Sequence, residues 1–339
     1  MNGPSPAKLN VVTGATGLLG SHIAEQLAAR GQRIRAVVRP TSDVAFLRQL
    51  GAELALCDIR DRETLIRAVA GADVVYHCAA RVGDWGNWRR FQTDVIETAR
   101  NVLQACQAGG VGRILYVSSV SVYGHPRPSP VRLTEDEPLG QRLGIWDHYC
   151  RAKIAAEELA RAYGPEVTII RPTWIFGPRD RNTFPRLLRA LRGGWVSLLG
   201  TGDNLLNIVY AADVAEGAIL AANHPNARGQ VYHLCSEGEV TQRQFYDALS
   251  DALGLPRVTR QRPYWLAFWG GFVGEVIARL FRWGRAPYIS RYSVRLVGRP
   301  AHFSIEKARK ELGWQPRVGI LEGVRRTLES MGIPLGVKT

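Results

Sequence analysis

The chain is poor in the features that mark secreted, zinc-binding or membrane-spanning proteins. Its 5 cysteines (Cys57, Cys78, Cys106, Cys150 and Cys235) are scattered over 339 residues. They are odd in number, with no Cys-x-x-Cys pair and no Cys/His spacing suited to zinc. A disulfide framework is excluded, and the expectation is a reducing, cytoplasmic setting with no bound metal. The opening MNGPSPAKLNVV has no apolar core of the kind a secretory signal carries. The charge-free run 263–274 is far short of the roughly 20 residues that span a bilayer. Neither an internal repeat nor a low-complexity linker is present. With 46% hydrophobic and 22% charged residues, the composition also excludes a mostly disordered chain.

Negative charge is in deficit too. There are 44 basic residues against 30 acidic ones, a net charge of +14. From Leu255 to Thr339, 16 Lys/Arg face 5 Asp/Glu, so +11 sits in the last quarter. Such asymmetry points to an anionic substrate, an anionic membrane surface or a solvated basic face. Nucleic acid ranks last, because the charges form neither an arm nor a recognisable binding module.

What is present is a strand–helix alternation. Apolar runs at Leu9–Val12, Ile34–Val38, Leu54–Cys57, Val74–His77, Ile114–Val117 and Val167–Ile170 read as buried strands. Helical patterns such as Leu18–Arg30 and Arg62–Val69 lie between them. This predicts an α/β fold, a Rossmann-type doubly wound parallel sheet with its ligand crevice at the carboxyl strand ends. After Arg171 the alternation stops. Residues 1–175 are expected to form the dinucleotide-binding domain, and 176–204 with 236–339 a smaller, interleaved substrate lobe. Within 205–235, strands at Leu206–Tyr210 and Val231–Leu234 are expected to rejoin the sheet.

Directly after the first strand comes Thr13-Gly14-Ala15-Thr16-Gly17-Leu18-Leu19-Gly20. Glycine there permits a tight turn and close backbone approach to a pyrophosphate, and the following helix start offers free amides. Gly14, Gly17, Leu18 and Gly20 are therefore candidate cofactor contacts. The second strand ends at Arg39, where an acidic residue would hold the ribose 2′-OH of NAD; arginine favours the 2′-phosphate of NADP, with NAD the alternative. Asp58 and Ile59, ending the third strand, would reach the adenine.

Tyr149 and Lys153 stand four apart in a helical stretch and so share a face. With 11 tyrosines and only 5 lysines in the chain, chance accounts poorly for that spacing. A phenol with a pKa of about 10 is a weak base at neutral pH. A nearby ammonium and an oxidised nicotinamide both favour the phenolate. Ser118, Ser119 and Ser121 all lie near the end of the fifth strand, and any of them could polarise the reacting oxygen.

Together, TGATGLLG, Asp58, His77-Cys78-Ala79-Ala80, the serine-rich strand end, Tyr149-x-x-x-Lys153 and Arg171-Pro172-Thr173 resemble the extended short-chain dehydrogenase/reductases. The likeness continues through 207–214 and 303–316, nearly the whole chain. Residues 79–86 and Ile289-Ser290-Arg291-Tyr292 are most similar to the 3β-hydroxysteroid dehydrogenase and dihydroflavonol reductase branch, and to bacterial reductases of 2-alkyl-3-oxo acids. The resemblance implies Ser119, Tyr149 and Lys153 as catalytic residues, Lys153 also holding the nicotinamide ribose. Gly14, Gly17, Gly20, Asp58, Ala79 and Pro172 would line the cofactor. Asp94 to Thr98 departs from the family pattern, which has Asn and Gly there.

Trp85 and Trp88, just past the fourth strand, are candidate walls for an apolar substrate. Residues 263–283 place aromatic and aliphatic residues at helical spacing, either as a lid packed over the cleft or as a basic, aromatic helix on a membrane surface. The expected function is hydride transfer between NADP(H) or NAD(H) and a secondary alcohol or ketone on a hydrophobic molecule: a 3β-hydroxysteroid, a dihydroflavonol or a 3-oxo acyl compound. A nucleotide-sugar epimerase or dehydratase holding NAD tightly is the alternative enzyme, and a nonenzymatic NADP-binding sensor is the alternative of another class. Homodimerisation is left open.

Overall fold

The computed structural model describes residues 7–126, 131–236, 240–284, 286–287, 289–298 and 302–333. Residues 1–6, half of the opening stretch read above for a signal, lie outside the described residues.

The central apolar runs form strands buried on both faces, whereas the edge run Glu53–Leu56 is half-exposed. Along β1 (Leu9–Thr13), Val12 enters one apolar cluster and Val11 the other, as the two-residue strand period demands. β2 (Arg33–Val38), β3 (Glu53–Leu56), β4 (Val74–His77), β5 (Ile114–Val117) and β6 (Val167–Pro172) follow. The later strands are β7 (Trp174–Phe176), β8 (Leu198–Leu199), β9 (Ile208–Tyr210), β10 (Val231–Leu234) and β11 (Gln261–Arg262). Seven of them make one parallel sheet in the order β10-β6-β5-β4-β1-β2-β3. The winding reverses between β1 and β4, which places the ligand crevice at their carboxyl ends. The fold is the Rossmann-type α/β fold expected from the alternation.

The first helices are α1 (Leu18–Ala29), α2 (Ala45–Gln49), α3 (Arg62–Val69), α4 (Trp88–Phe91), α5 (Thr98–Ala108) and α6 (His148–Tyr163). They continue as α7 (Thr183–Arg192), α8 (Ala211–Asn223), α9 (Gln242–Ala252), α10 (Tyr264–Leu280), α11 (Arg291–Gly298), α12 (Glu306–Leu312) and α13 (Ile320–Ser330). Leu19 and Ile23 of α1, Val214 and Ala218 of α8 and Leu312 of α12 cover one sheet face. Leu65, Val102 and Ala152, from α3, α5 and α6, cover the other. A third apolar cluster joins Phe176, Phe184, Phe245 and Leu328 away from the large sheet.

Of the two segments expected to rejoin the sheet, β10 does so, with Val231 opposite Ile169. The Leu206–Tyr210 expectation is corrected: β9 pairs with β7, Trp174 opposite Ile208, in a separate two-stranded sheet. The edge of β6 is already occupied by β10, so β9 pairs with the chain beyond Pro172. The C-terminal segment is tied back at Trp314, whose indole Nε1 donates to the Asp213 carbonyl at 2.8 Å.

Candidate active site

The turn after β1 is built for close approach. Gly14 has φ +67°, and a Cβ on it would stand 2.8 Å from the Ala79 nitrogen, with the Ala79 Cα at 2.9 Å. A Cβ on Gly20 would collide with the Gly14 carbonyl. Gly17 donates its amide to the Gly14 carbonyl at 2.9 Å and caps α1 without a side-chain hydrogen bond. Leu18 opens the helix, whose first turn contains no acidic residue. The first amides of α1 and the positive end of its dipole are thus free of a competing side chain, so this cradle fits a dinucleotide pyrophosphate.

At the adenosine end, Arg39 is exposed just past β2, and its charge helps to hold down the Asp58 carboxyl. The stronger influence on Asp58 is Arg60, which donates from its backbone amide at 3.0 Å and from its guanidinium to both carboxylate oxygens, Nη2 to Oδ2 at 2.6 Å. These bonds hold Asp58 at about 2. Ile59 is half-buried, its carbonyl accepting from Asn101 Nδ2 at 3.1 Å. Pro172 is buried at the end of β6, opposite Leu234.

Tyr149 and Lys153 both lie in the N-terminal half of α6, 6% and 3% exposed. The Lys153 ammonium donates to the Val117 carbonyl at 3.0 Å and stands 5.8 Å from the Tyr116 ring centre. Burial lowers its pKa to about 8, opposed by the negative charge of Glu157. Burial pushes the Tyr149 phenol up to about 12, opposed by the facing hydroxyls of Ser119 and Ser121.

The three strand-end serines separate by environment. Ser118 donates to Glu157 Oε2 at 2.6 Å and so is committed to the interior. Ser119 caps a short 3-10 turn, accepting from the Ser121 amide at 3.2 Å, with its hydroxyl toward Tyr149. The crevice also holds His77, whose Nδ1 lies 2.8 Å from Thr13 Oγ1; burial first and then the Lys153 charge lower its pKa to about 3. Lys153 likewise acts electrostatically on Cys78, the residue before Ala79. The Gly14–Ala79 contact and the Tyr149–Lys153 pair therefore border one crevice.

Tyr292, beside Tyr149, and Asp84, which acts on Tyr292, escape a reading by motif. Tyr292 meets the Tyr149 ring edge-on. Asp84, which burial pushes up to about 6, acts on the Tyr292 phenol. The signal was there, since both residues fall in the stretches that mark the branch, but no spacing rule gave them a role. Asp94, where the family pattern is broken, pairs with Arg81 at 3.3 Å within a π-helical stretch, Gln92–Glu97.

Trp85 and Trp88 take different positions. Trp88 packs on His148, ring centres 5.8 Å apart. Trp85 donates to the Trp283 carbonyl at 3.2 Å, and with Trp146 it encloses the Arg279 guanidinium, at 4.8 and 4.4 Å from the two ring centres. Trp146 also stacks on Phe272. One side of α10 thus closes against Trp85, Trp146 and α11. No helix among the described residues is long and apolar enough to cross a membrane.

A family model described as the NAD dependent epimerase/dehydratase family matches residues 10–235. The chain belongs to that family. It is an NAD(P)-dependent dehydrogenase/reductase acting on CH–OH groups, on the extended short-chain branch that includes the 3β-hydroxysteroid dehydrogenases. It is similar to a 2-alkyl-3-oxoalkanoate reductase of Stenotrophomonas maltophilia, 33% identical over 93% of this chain and 97% of the relative. It is similar as well to the human sterol-4-alpha-carboxylate 3-dehydrogenase, decarboxylating, 29% identical over 96% of this chain and 88% of the relative. Among solved structures, UDP-glucuronic acid 4-epimerase from Bacillus cereus in complex with NAD superposes with a TM-score of 0.72, 21% identical, over 96% of this chain and 98% of the other; that likeness concerns the fold.

Proposed function

We propose that this family member interconverts a ketone and a secondary alcohol on a hydrophobic substrate, with Tyr149 as general acid/base. The observation that carries this is the Tyr149 phenol, enclosed, facing the Ser119 hydroxyl, one helical turn from Lys153 and beside the glycine cradle.

A nicotinamide cofactor bound in that cradle supplies or accepts the hydride. The protein's own part concerns the oxygen. In the reducing direction, Ser119 donates a hydrogen bond to the carbonyl oxygen and polarises it. Tyr149, whose pKa of about 12 keeps it protonated at neutral pH, delivers its proton as the alkoxide forms. In the oxidising direction the phenol must lose its proton, and the Lys153 cation favours that loss. Lys153, whose ammonium donates to the Val117 carbonyl, would also hold the nicotinamide ribose.

The relatives' names narrow the substrate. In a 3-oxoalkanoate and in a sterol-4-carboxylate oxidised at carbon 3, the reacting carbon adjoins the carbon that bears the carboxylate. This supports a 3-oxo acyl or sterol-like substrate over a dihydroflavonol. Arg39 supports NADP(H) over NAD(H).

The test is Tyr149→Phe assayed on 3-oxo acyl and steroid ketones. Turnover should vanish while the Kd for NADPH stays within about twofold, because the lost hydroxyl acts on the substrate oxygen. Unchanged turnover overturns the assignment. Conversion of a nucleotide sugar without added cofactor would replace it with an epimerase.

A further inference from the structure

The helix α10 is sided in the reverse of the usual manner. Its inner face is small or charged: Ala267, Gly271, Glu275 and Ala278 are buried. A Cβ on Gly271 would come within 3.1 Å of the Arg291 nitrogen, so the small residues allow α11 to approach closely. Glu275 is consumed there, accepting from the Arg291 amide at 2.7 Å and from its guanidinium at 2.9 Å. The outer face carries Trp265, Trp269, Val273, Ile277 and Leu280, one stripe at helical spacing. Trp265 is 63% exposed, Val273 54% and Leu280 74%, and the stripe continues into exposed Phe281 and Trp283. Single exposed apolar residues are ordinary; a contiguous stripe of them marks an interaction surface.

The segment that bears the stripe is strongly basic. Between Leu255 and Gly284 the sole acidic residue is Glu275, spent on Arg291. Arg257 is matched by Asp251 at 2.9 Å. Arg260 stands exposed shortly before the helix and Arg282 exposed just after it. A second copy of the chain on this face would set these arginines against their own equivalents, in a protein of net charge +14. An anionic surface meets them favourably.

We propose that the outer face of α10 docks on an anionic lipid bilayer, the stripe lying at the headgroup–acyl boundary with Arg260 and Arg282 among the headgroups. The inner face of the same helix holds Arg279 between Trp85 and Trp146, so docking sets the wall of the candidate substrate cleft against the membrane. The docking itself does not depend on which ketone is reduced.

The test is flotation of the purified full chain with phosphatidylcholine vesicles, with and without phosphatidylglycerol. The chain should float with the anionic vesicles, remain behind with the neutral ones, and detach as salt rises. The triple variant Trp265→Ser, Val273→Ser, Leu280→Ser, shown to fold by its thermal transition, should lose at least about tenfold in vesicle affinity. Its turnover of a short, water-soluble ketone should be unchanged, which separates loss of docking from failure of the catalytic assignment. Should that variant not fold, the lipid-charge and salt series on the unmodified chain decides. Absence of flotation overturns the proposal, as does equal flotation of the folded variant. A dimer in sedimentation velocity that the triple substitution dissociates would also overturn it, because a second copy would then cover the face.

Discussion

Tyr292 stands edge-on to Tyr149, ring centroids 6.1 Å apart and planes at 87°. Burial raises the Tyr292 phenol well above its ordinary pKa, and Tyr149 and Asp84 act in the same direction. Tyr149 therefore ionises before Tyr292, and the part left to Tyr292 is the edge contact that fixes the Tyr149 ring. Tyr292→Phe keeps the edge contact and should retain most of kcat. Tyr292→Ala should lower kcat at least about tenfold, because Tyr149 loses its lateral support. Its stability cost should be near 2 kcal/mol, less than the roughly 3–5 kcal/mol of a wholly buried aromatic ring. Steady-state kinetics with a denaturant titration checks both; equal kcat in the two variants would deny Tyr292 a positioning role.

A second relationship lies below the site. The Glu157 and Arg171 side chains are wholly buried and paired, with Arg171 Nε 3.1 Å from Glu157 Oε2. Arg171 also reaches the Tyr123 hydroxyl and the Glu135 carbonyl. Glu157→Gln leaves the guanidinium without its counter-charge, at a cost of about 3 kcal/mol. It also withdraws the negative charge that opposes the fall in the Lys153 pKa.

The pH consequences have definite signs. If Lys153 must be charged, the alkaline limb of the wild-type rate profile falls near its value of about 8, and in Glu157→Gln it moves to lower pH. For stability, Glu157 has a depressed pKa in the folded chain, with the Arg171 hydrogen bond its largest lowering influence. Its contribution is present above the ordinary carboxylate range and is lost as pH falls through the folded value. The variant should therefore show a flatter acid limb of stability against pH. An unmoved alkaline limb would show that Lys153 does not depend on Glu157.

These residues mark what the sequence could and could not disclose. The parallel sheet was legible because a strand covered on both faces must be almost wholly apolar, as Ile114–Val117 is. Glycine at 14, 17 and 20 and the four-residue step from Tyr149 to Lys153 are local geometry, and local geometry survives in one dimension. That Ser118 turns away from Tyr149, leaving Ser119 and Ser121 to face it, is decided by Glu157, 39 residues from Ser118. The pairing of Ile208–Tyr210 depends on β10 having filled the edge of β6. Periodicity found α10 but not its orientation, since an apolar stripe at helical spacing looks the same whether it faces the core or solvent. Ala267 and Gly271 carried that information, as small residues on the side of close approach.

The proposed preference for NADP(H) rests on the exposed Arg39 and on Asp58, whose carboxylate is committed to Arg60. A guanidinium on a 2′-phosphate is a charge-assisted contact worth about 1.5–3 kcal/mol. Arg39→Ala should therefore weaken NADPH binding by roughly ten- to a hundredfold and leave NADH nearly unchanged. Isothermal titration with both nucleotides measures this, and equal weakening of the two would show that Arg39 does not read the 2′ position.

Arg279 stands beside Trp85, the residue proposed to wall the substrate. Its guanidinium lies between the Trp85 and Trp146 rings, and its Nε is buried without a hydrogen-bond partner among the described residues. Two cation–π contacts of about 0.5–2 kcal/mol each join α10 to the segment after β4, through Trp85, and to the segment before α6, through Trp146. Arg279→Met keeps an unbranched apolar stem and removes the charged head, so α10 should remain folded while its hold on Trp85 loosens. The expected result is a rise in KM for a long-chain ketone with NADPH affinity unchanged, because the cofactor cradle at Gly14–Gly20 is formed by other elements. Arg279→Lys should restore only part of the effect, since an ammonium lacks the flat face that lies between two indoles. If KM is the same in all three proteins, Trp85 and Arg279 are packing residues and the apolar end of the substrate lies elsewhere.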